Sequence, residues 1–539
     1  MSNKEIAGQF NLLAQLMELH GENAFKIRTY QNAYQNLRRM DADLMKLEEN
    51  ELLEIQGIGK AVAAGIIELQ RTGTMPALEE MKSKTPSGIL DVLKIKGLGP
   101  KKIALIWHEL NVTSLGELEY ACMENRLIGL KGFGEKTQNA ILEQIAFLKK
   151  NAGSVLISEG LAMAGQLEDF LSTSFPDYRF QLTGLARRKM DVMDKIEIIG
   201  TLSKKTVCEE LMKLDEFSVT DEMKIDGVTF IYYETTDKRF DRDLFTSTGP
   251  EEFVSSFELG LNLEESEIFT KNKFNWVPPE SREFPKLVLK DDFSIDDLIK
   301  ESDVKGVIHS HSTWSDGAST IEKMAQACKR FNYEYLIMSD HSVSAFYANG
   351  LNEDRLIAQW VEIDALNAAD DHFRIFKSIE SDIIFSGELD YSDDFLKEFE
   401  IVIASIHSNL KMDEAKANSR LLKAIEHPAT RILGHMTGRL LLGRPGYPID
   451  HKLIIDACAA NKVAIEINSN PHRLDIDWRW LPYAIEKGVE IAISPDAHNV
   501  SGILHTKYGV WMARKGIVPK EMVINTKTAV EFDQWLKLK

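Results

Sequence analysis

Cysteine is scarce: Cys122, Cys208, Cys328 and Cys458 are scattered over 539 positions and form no CxxC pair. That spacing excludes a thiolate zinc ribbon and a disulfide framework, and it fits a reducing compartment. Long apolar runs are missing too. No stretch approaches the ~18 residues of a membrane span, and the opening MSNKEIAGQF lacks the apolar core of a signal peptide, so a soluble, cytoplasmic chain is expected. Neither proline (15) nor glycine (33) is in excess, and with 44% hydrophobic and 27% charged residues the composition is that of a folded protein, not a disordered one. Positive charge is also short. The formal net charge is -19, which weighs against a partner as negative as nucleic acid.

The deficit is unevenly spread. Residues 1–150 hold 19 Lys+Arg against 19 Asp+Glu, leaving 45 against 64 for the rest of the chain. The N-terminal part is therefore the better candidate for touching phosphate. The length implies roughly three or four domains of ordinary size.

One pattern recurs three times in that neutral part: LLEIQGIGKAVAAGI, VLKIKGLGPKKIALI and LIGLKGFGEKTQNAI. Each is an apolar segment, a Gly-x-Gly turn and a helix-like segment, the form of a helix-hairpin-helix. The pairs Gly57/Gly59, Gly97/Gly99 and Gly132/Gly134 allow a tight turn that leaves backbone N–H groups open at a helix N-terminus. Such turns can hold a DNA backbone phosphate without reading sequence, and a lysine follows each one, Lys60, Lys101 and Lys136. A helical array that binds protein is the alternative.

From about 151 to 285, strands such as DKIEIIGTL and VTFIYYET alternate with helices such as SKKTVCEELMKL, which reads as a small α+β domain. The stretch NWVPPESREFPKLVLKDDFS, rich in proline and charge, reads as a linker. Short apolar strands then alternate with helices in the rhythm of a parallel β/α barrel: KGVIHSH, YEYLIMSDH, EIVIASIH, ATRILGH, KVAIEINS and VEIAISPDAH. Polar residues cluster at the strand C-terminal ends, where barrel active sites lie.

Those ends carry His309, His311, Asp316, His341, Glu380, His407, His435, Asp496 and His498. On a regular strand His309 and His311 share a face, because side chains alternate. Imidazoles with carboxylates and no sulfur suit zinc, manganese or iron. Nine ligands are too many for one ion, so two or three divalent ions are expected, able to hold a phosphate and activate water. His20, His108, His372, His427, His451, His472 and His505 fit no such pattern and are read as surface or structural.

The order HSHSTWSDG, SDHS, IESD, SIH, GHMTGR and SPDAH resembles the PHP (polymerase and histidinol phosphatase) domain. The N-terminal segment EIAGQFNLLAQLMELHGENAFKIRTYQNAYQNL and the three hairpins are similar to bacterial family X DNA polymerases, which pair a polymerase core with a C-terminal PHP domain credited with 3′-5′ exonuclease activity. The resemblance covers essentially the full length. It implies a multidomain α and α/β chain: a helix-hairpin-helix domain over 1–84, a fingers-like helix-hairpin-helix domain over 85–152, and a nucleotidyltransferase-like α+β palm and thumb over 153–285. A linker over 286–302 and a distorted (β/α)7 PHP barrel over 303–539 complete it. All nine barrel residues above fall on family metal ligands. His435 or His498 can instead serve as a proton donor, and Arg439 in GHMTGR either pairs with a phosphate or forms a structural salt bridge.

The palm departs from its family pattern. The family motif GSxRRGxxxxxDxD corresponds to TGLARRKMDVMDKIEIIG, in which Arg187 and Arg188 match the arginines and Lys195 and Glu197 fall on the two aspartates. Two-metal nucleotidyl transfer needs carboxylates at i and i+2 on one strand. Lys195 puts a cation there, Asp194 is out of phase with Glu197, and the third carboxylate position falls near Ile231, with only Glu234 close by. Glu197 then reads as a solvent-facing strand residue. The family TGS turn reads Thr248-Gly249-Pro250, which loses a backbone donor at the proline. Gly65 stands where the family lyase lysine is expected.

The expected function is a DNA-binding, metal-dependent phosphoesterase acting on DNA ends in repair, with a degenerate palm. The alternatives are a gap-filling polymerase using Glu197, Glu234 and Asp194, a non-catalytic repair scaffold, and a phosphatase of small phosphomonoesters.

Overall fold

The computed structural model describes every residue except 39, 41, 56, 150–152, 215, 220–221, 261 and 538–539, and the side chains of 147–149 are set aside with them. The chain separates into two compact units, Met1–Ala146 and Phe147–Lys539, a coarser division than the five segments expected.

The first unit is helical. Helix Asn3–Leu19 starts at a capping box in which the Ser2 N–H donates to the Glu5 carboxylate at 2.6 Å and the Ser2 hydroxyl accepts from the Glu5 N–H. Its Ile6, Phe10, Leu13 and Leu16 are fully buried, one apolar stripe at helical spacing. The three hairpins share one backbone geometry. The first glycine of each, Gly57, Gly97 and Gly132, has a φ of 94°, 84° and 86°, a conformation costly for any residue with a Cβ. Ile58, Leu98 and Phe133 then donate to the carbonyls three residues back, and the helices Lys60–Thr72, Pro100–Leu110 and Glu135–Lys149 follow the second glycines. Gly59, Gly99 and Gly134 each accept the first helical N–H bonds at 2.9 to 3.1 Å.

In the second unit a five-stranded sheet comes first, built from β1 (Phe180–Leu182), β2 (Lys195–Gly200), β3 (Phe217–Val219), β4 (Met223–Ile225) and β5 (Val228–Glu234) in the order β1-β2-β5-β4-β3. Strand β2 runs parallel to β5, with Glu197 directly beside Ile231. Helix Ile157–Ser174 covers the sheet with Ala164, Leu167 and Leu171. Beyond it, Phe245, Phe253 and Phe269 stack around the fully buried Arg282, whose guanidinium reaches Glu265 at 2.9 Å.

The segment 286–302 is no open linker: it carries short helical turns and buries Val288, Leu298 and Ile299, while its charged Asp291, Asp292 and Lys300 stay exposed. Seven parallel strands follow: β6 (Gly306–Ser310), β7 (Tyr335–Met338), β8 (Arg374–Asp382), β9 (Ile401–Ser405), β10 (Thr430–Leu433), β11 (Ala464–Asn468) and β12 (Ile491–Ser494). They lie side by side in chain order. The first and last meet through a bridge between Ser310 and Ala497, where the His311 N–H donates to the Ala497 carbonyl at 2.9 Å. The sheet is thus a nearly closed (β/α)7 barrel. Its strands are almost wholly buried, as parallel strands with helices outside must be.

Candidate metal centre

All nine side chains at the barrel mouth converge. Ligand atoms fall into three groups, each within 4.8 Å: His311, Asp316, His341 and His498; His309, His311 and Asp496; and His341, Glu380 and His407. His311 and His341 belong to two groups each, so the groups form one continuous cluster. His435 Nε2 lies beside the third, 3.0 Å from Glu380 Oε1 and 3.3 Å from His407 Nε2. His309, His311, His341, Glu380, His435, Asp496 and His498 are buried, and the His407 and Asp316 side chains are nearly so.

Simple strand alternation does not place His309. The register of β6 against β7 shifts between Val307 and Ser310, and His309 has a φ of 63°, as Asp496 has 51°. Two non-glycine residues in the left-handed region, one on each side of the barrel closure, are the kind of local strain that marks a functional site. The shift carries His309 into the mouth beside His311, their ring centroids 5.2 Å apart.

The donor set fits divalent cations. His341 Nδ1 and Nε2, Glu380 Oε2 and Asp316 Oδ2 are buried and make no hydrogen bond, although His341 Nδ1 is only 2.9 Å from Glu380 Oε2. His407 and His435 turn ring nitrogens toward each other at 3.3 Å. Lone pairs meeting at a point in this way satisfy one another through a shared cation. The electrostatics agree. Burial would raise the Glu380 carboxyl, yet the rings of His407, His309 and His341 hold it well below the usual range. Burial would lower His407, yet Glu380 and Asp382 bring it up to about 10, so that without a cation this ring itself carries the positive charge the buried carboxylates call for. Burial and the nearby Arg473 push His435 down, which keeps that ring neutral and able to ligate.

An outer layer, missed by the sequence reading, orients these rings. Glu466 Oε2 lies 2.6 Å from His309 Nδ1, and its other oxygen accepts the His435 N–H at 3.0 Å. Asp382 Oδ1 lies 2.8 Å from His407 Nδ1, and Asn468 donates to Asp496 at 3.0 Å. Carboxylates on the outer ring nitrogens leave Nε2 of His309 and His407 facing inward. Asp340 accepts from Ser312, Ser315 and Gln359 and so fixes the turn that delivers Asp316. The available signal was an isolated carboxylate, Glu466, inside the otherwise apolar strand VAIEI.

Arg439 is spent on structure. It donates to the Arg473 and Leu474 carbonyls and to Asp477, the salt bridge that was one of its two readings.

The palm differs from expectation at one residue. Glu197 is not a solvent-facing strand residue but is 2% exposed. Its Oε2 accepts the Leu185 N–H at 3.0 Å, Tyr233 donates to its Oε1, and the Lys195 ammonium sits 3.2 Å away. The turn at Gly184 brings backbone onto the carboxylate, so close that a Cβ there would meet Glu197 Oε2 at 1.8 Å. Lys195 and Glu197 line a cavity of about 450 Å³ with Arg188, Glu234 and Asp243. Arg187 is paired with Glu265 at 2.6 Å and Arg188 with Glu283 at 2.9 Å. Asp194 is exposed, and Glu234 accepts the Lys204 N–H at 2.7 Å. In the first unit Lys60, Lys101 and Lys136 are exposed, and a Cβ at Gly65 would meet the Phe10 ring at 2.9 Å and Met75 Sδ at 3.0 Å. Among the described residues no helix is long and apolar enough to cross a membrane.

Comparison with known proteins places these parts. Residues 1–75 match the helix-hairpin-helix domain family and residues 89–146 the SAM-like helix-hairpin-helix tandem. The DNA polymerase/3′-5′ exonuclease PolX of Bacillus subtilis is 34% identical over 570 residues, covering all of both chains. A probable phosphatase of Syntrophotalea carbinolica is 29% identical over 30% of this chain and 65% of its own. One from Caldanaerobacter subterraneus is 26% identical over 40% of this chain and 85% of its own. A likeness that runs from the hairpins through the palm to the end of the barrel makes this chain a member of the bacterial family X DNA polymerases with a C-terminal PHP domain.

Proposed function

We propose that the chain is a metal-dependent phosphoesterase of 3′-5′ exonuclease type that trims DNA ends in repair, and that its palm no longer synthesises DNA. The observation that carries this reading is the continuous cluster of eight imidazoles and carboxylates at the barrel mouth, with His435 against it as the ninth. It is supported by a full-length relative named for polymerase and 3′-5′ exonuclease activity, and by shorter relatives named as probable phosphatases.

In this reading the barrel holds two or three zinc, manganese or iron ions. When bound, the ions polarise a phosphoryl oxygen and activate water near neutral pH. Asp316, His341 and His498 complete one position with His311; His309 and Asp496 complete a second; Glu380 and His407, with His435 against them, make the third. Both residues considered as proton donors, His435 and His498, are assigned as ligands, and the leaving oxygen takes its proton from solvent. Arg439 braces the loop that carries His435 and does not bind phosphate. The hairpins hold DNA through the open N–H groups after Gly57/Gly59, Gly97/Gly99 and Gly132/Gly134, with Lys60, Lys101 and Lys136 supplying charge. In the palm, the Lys195–Glu197 ion pair fills the place of two metal-binding carboxylates.

The test is one gel with a 5′-labelled gapped primer-template and Mn, with and without dNTPs, beside a His309→Ala/His311→Ala variant. The expected result is shortening that the variant abolishes and no extension. Extension would overturn the reading of the palm. Intact primer, with hydrolysis of p-nitrophenyl phosphate in a parallel assay, would favour the small-phosphoester reading that the phosphatase relatives raise.

A further inference from the structure

The loop after β7 presents an aromatic ring that almost nothing among the described residues covers. Phe346, five residues beyond the ligand His341, is 86% exposed, more than any other large apolar side chain among the described residues. The loop cannot fold it away. The Leu351 N–H donates to the His341 carbonyl at 2.9 Å and closes the base, and the Ser344 N–H donates to Asp390 at 2.6 Å. Arg355 ties down the Asn349 carbonyl at 2.8 Å. At the tip, Phe346–Ala348 forms a 3-10 turn in which Tyr347 turns inward, its ring 6.3 Å from that of His341, while Phe346 turns out.

A second ring stands on the next loop. Phe385, 58% exposed, follows the end of β8 that carries Glu380 and Asp382, and Lys416 Nζ sits 4.1 Å from its ring centroid. In a parallel barrel both loops leave the same face as the ligands. Five residues of chain put Phe346 within about 17 Å of His341. That span is on the order of five stacked nucleotide steps.

We propose that Phe346 is a stacking platform for a base near the 3′ end of an unpaired DNA strand, with Phe385 and Lys416 as a second contact. This rests on the phosphoesterase reading above and names its substrate as an unpaired end. The chemistry favours a base over other occupants: every base offers a π-face, stacking needs no sequence, and a rigid exposed ring beside a hydrolytic centre gains most from a flat partner whose phosphate enters that centre. It also separates nucleic acid from small phosphomonoesters that carry no base.

The experiment compares wild type, Phe346→Ala and Phe346→Trp on two single-stranded oligonucleotides, one normal and one abasic over its last five nucleotides. KM and kcat for Mn-dependent shortening are measured beside equilibrium binding by fluorescence anisotropy. Phe346→Ala should raise KM and Kd for the normal strand about tenfold with kcat little changed, Phe346→Trp should restore both, and on the abasic strand the gap between wild type and Phe346→Ala should close to under twofold. Equal losses on both strands would show a structural role and overturn the proposal. Wild-type affinity of Phe346→Ala for the normal strand would also overturn it and point to a protein partner. Wild type that cleaves neither strand would sink the exonuclease reading, and the anisotropy arm would then still decide whether Phe346 binds bases.

Discussion

Lys515 has no exposed surface, and its ammonium donates at 2.8 Å to the carbonyl of Arg188, an arginine of the degenerate palm motif. Glu283 lies 3.5 Å from that ammonium and also accepts from Arg188. These contacts fasten the palm to the barrel helix Thr506–Lys515.

This bolt has a pH signature. Burial outweighs Glu283 and lowers Lys515 to about 8, below its ordinary 10.5. The unfolded chain therefore binds more protons than the folded one between about pH 8 and 10.5, and the lysine's opposition to folding is relieved as pH rises through that window. Wild-type stability measured against Lys515→Met should rise from pH 7.5 to 9.5 in urea melts. A difference that falls over this range contradicts the burial.

The palm prediction concerns metal binding. Because Glu197 faces Ile231 across parallel strands, Lys195→Asp alone restores two carboxylates but no third. The double variant Lys195→Asp/Ile231→Asp should gain Mn binding in the palm, read on a His309→Ala/His311→Ala background, and neither single change should. Mn binding by Lys195→Asp alone would show that no third carboxylate is needed, and none by the double variant would show that the ion pair and Ile231 are not what disables the site.

Glu466→Gln keeps the shape but weakens the acceptor behind His309. Such outer partners typically carry a 10- to 100-fold share of metal affinity, so competition with a chelator should show a loss of about that size, with the fold intact by circular dichroism. Unchanged affinity would make Glu466 a packing residue only.

The hairpin lysines should act as phosphate contacts. Replacing Lys60, Lys101 and Lys136 with alanine should weaken DNA binding about equally for all sequences. It should also flatten the slope of log K against log salt by roughly one for each lysine. An unchanged slope would remove them from the interface.

The nine mouth residues were legible because a parallel barrel delivers its strand ends to one mouth, so a histidine or carboxylate closing an apolar strand announces itself. The hairpins were legible because only glycine tolerates their turn. His309 and His311 meet as alternation implied, but by way of a register shift and a positive φ that leave no mark in an alternating string. Glu197 was misread for a related reason: its burial comes from the Gly184 turn folding over it and from Tyr233 on the neighbouring strand, contacts distant in sequence. Glu466 and Asp382 escaped notice because an outer carboxylate looks like any strand polar residue until the ring it supports is in view.

The bridge from Ser310 to Ala497 joins the two strands that bring His309, His311, Asp496 and His498. The cluster therefore straddles the seam where the barrel shuts, drawing half its histidines from the domain's first strand and from the loop after its last. During synthesis the cluster stays incomplete until residue 498 has been made and folded back on residue 310. An unfinished or clipped chain keeps the hairpins and lacks the closed mouth.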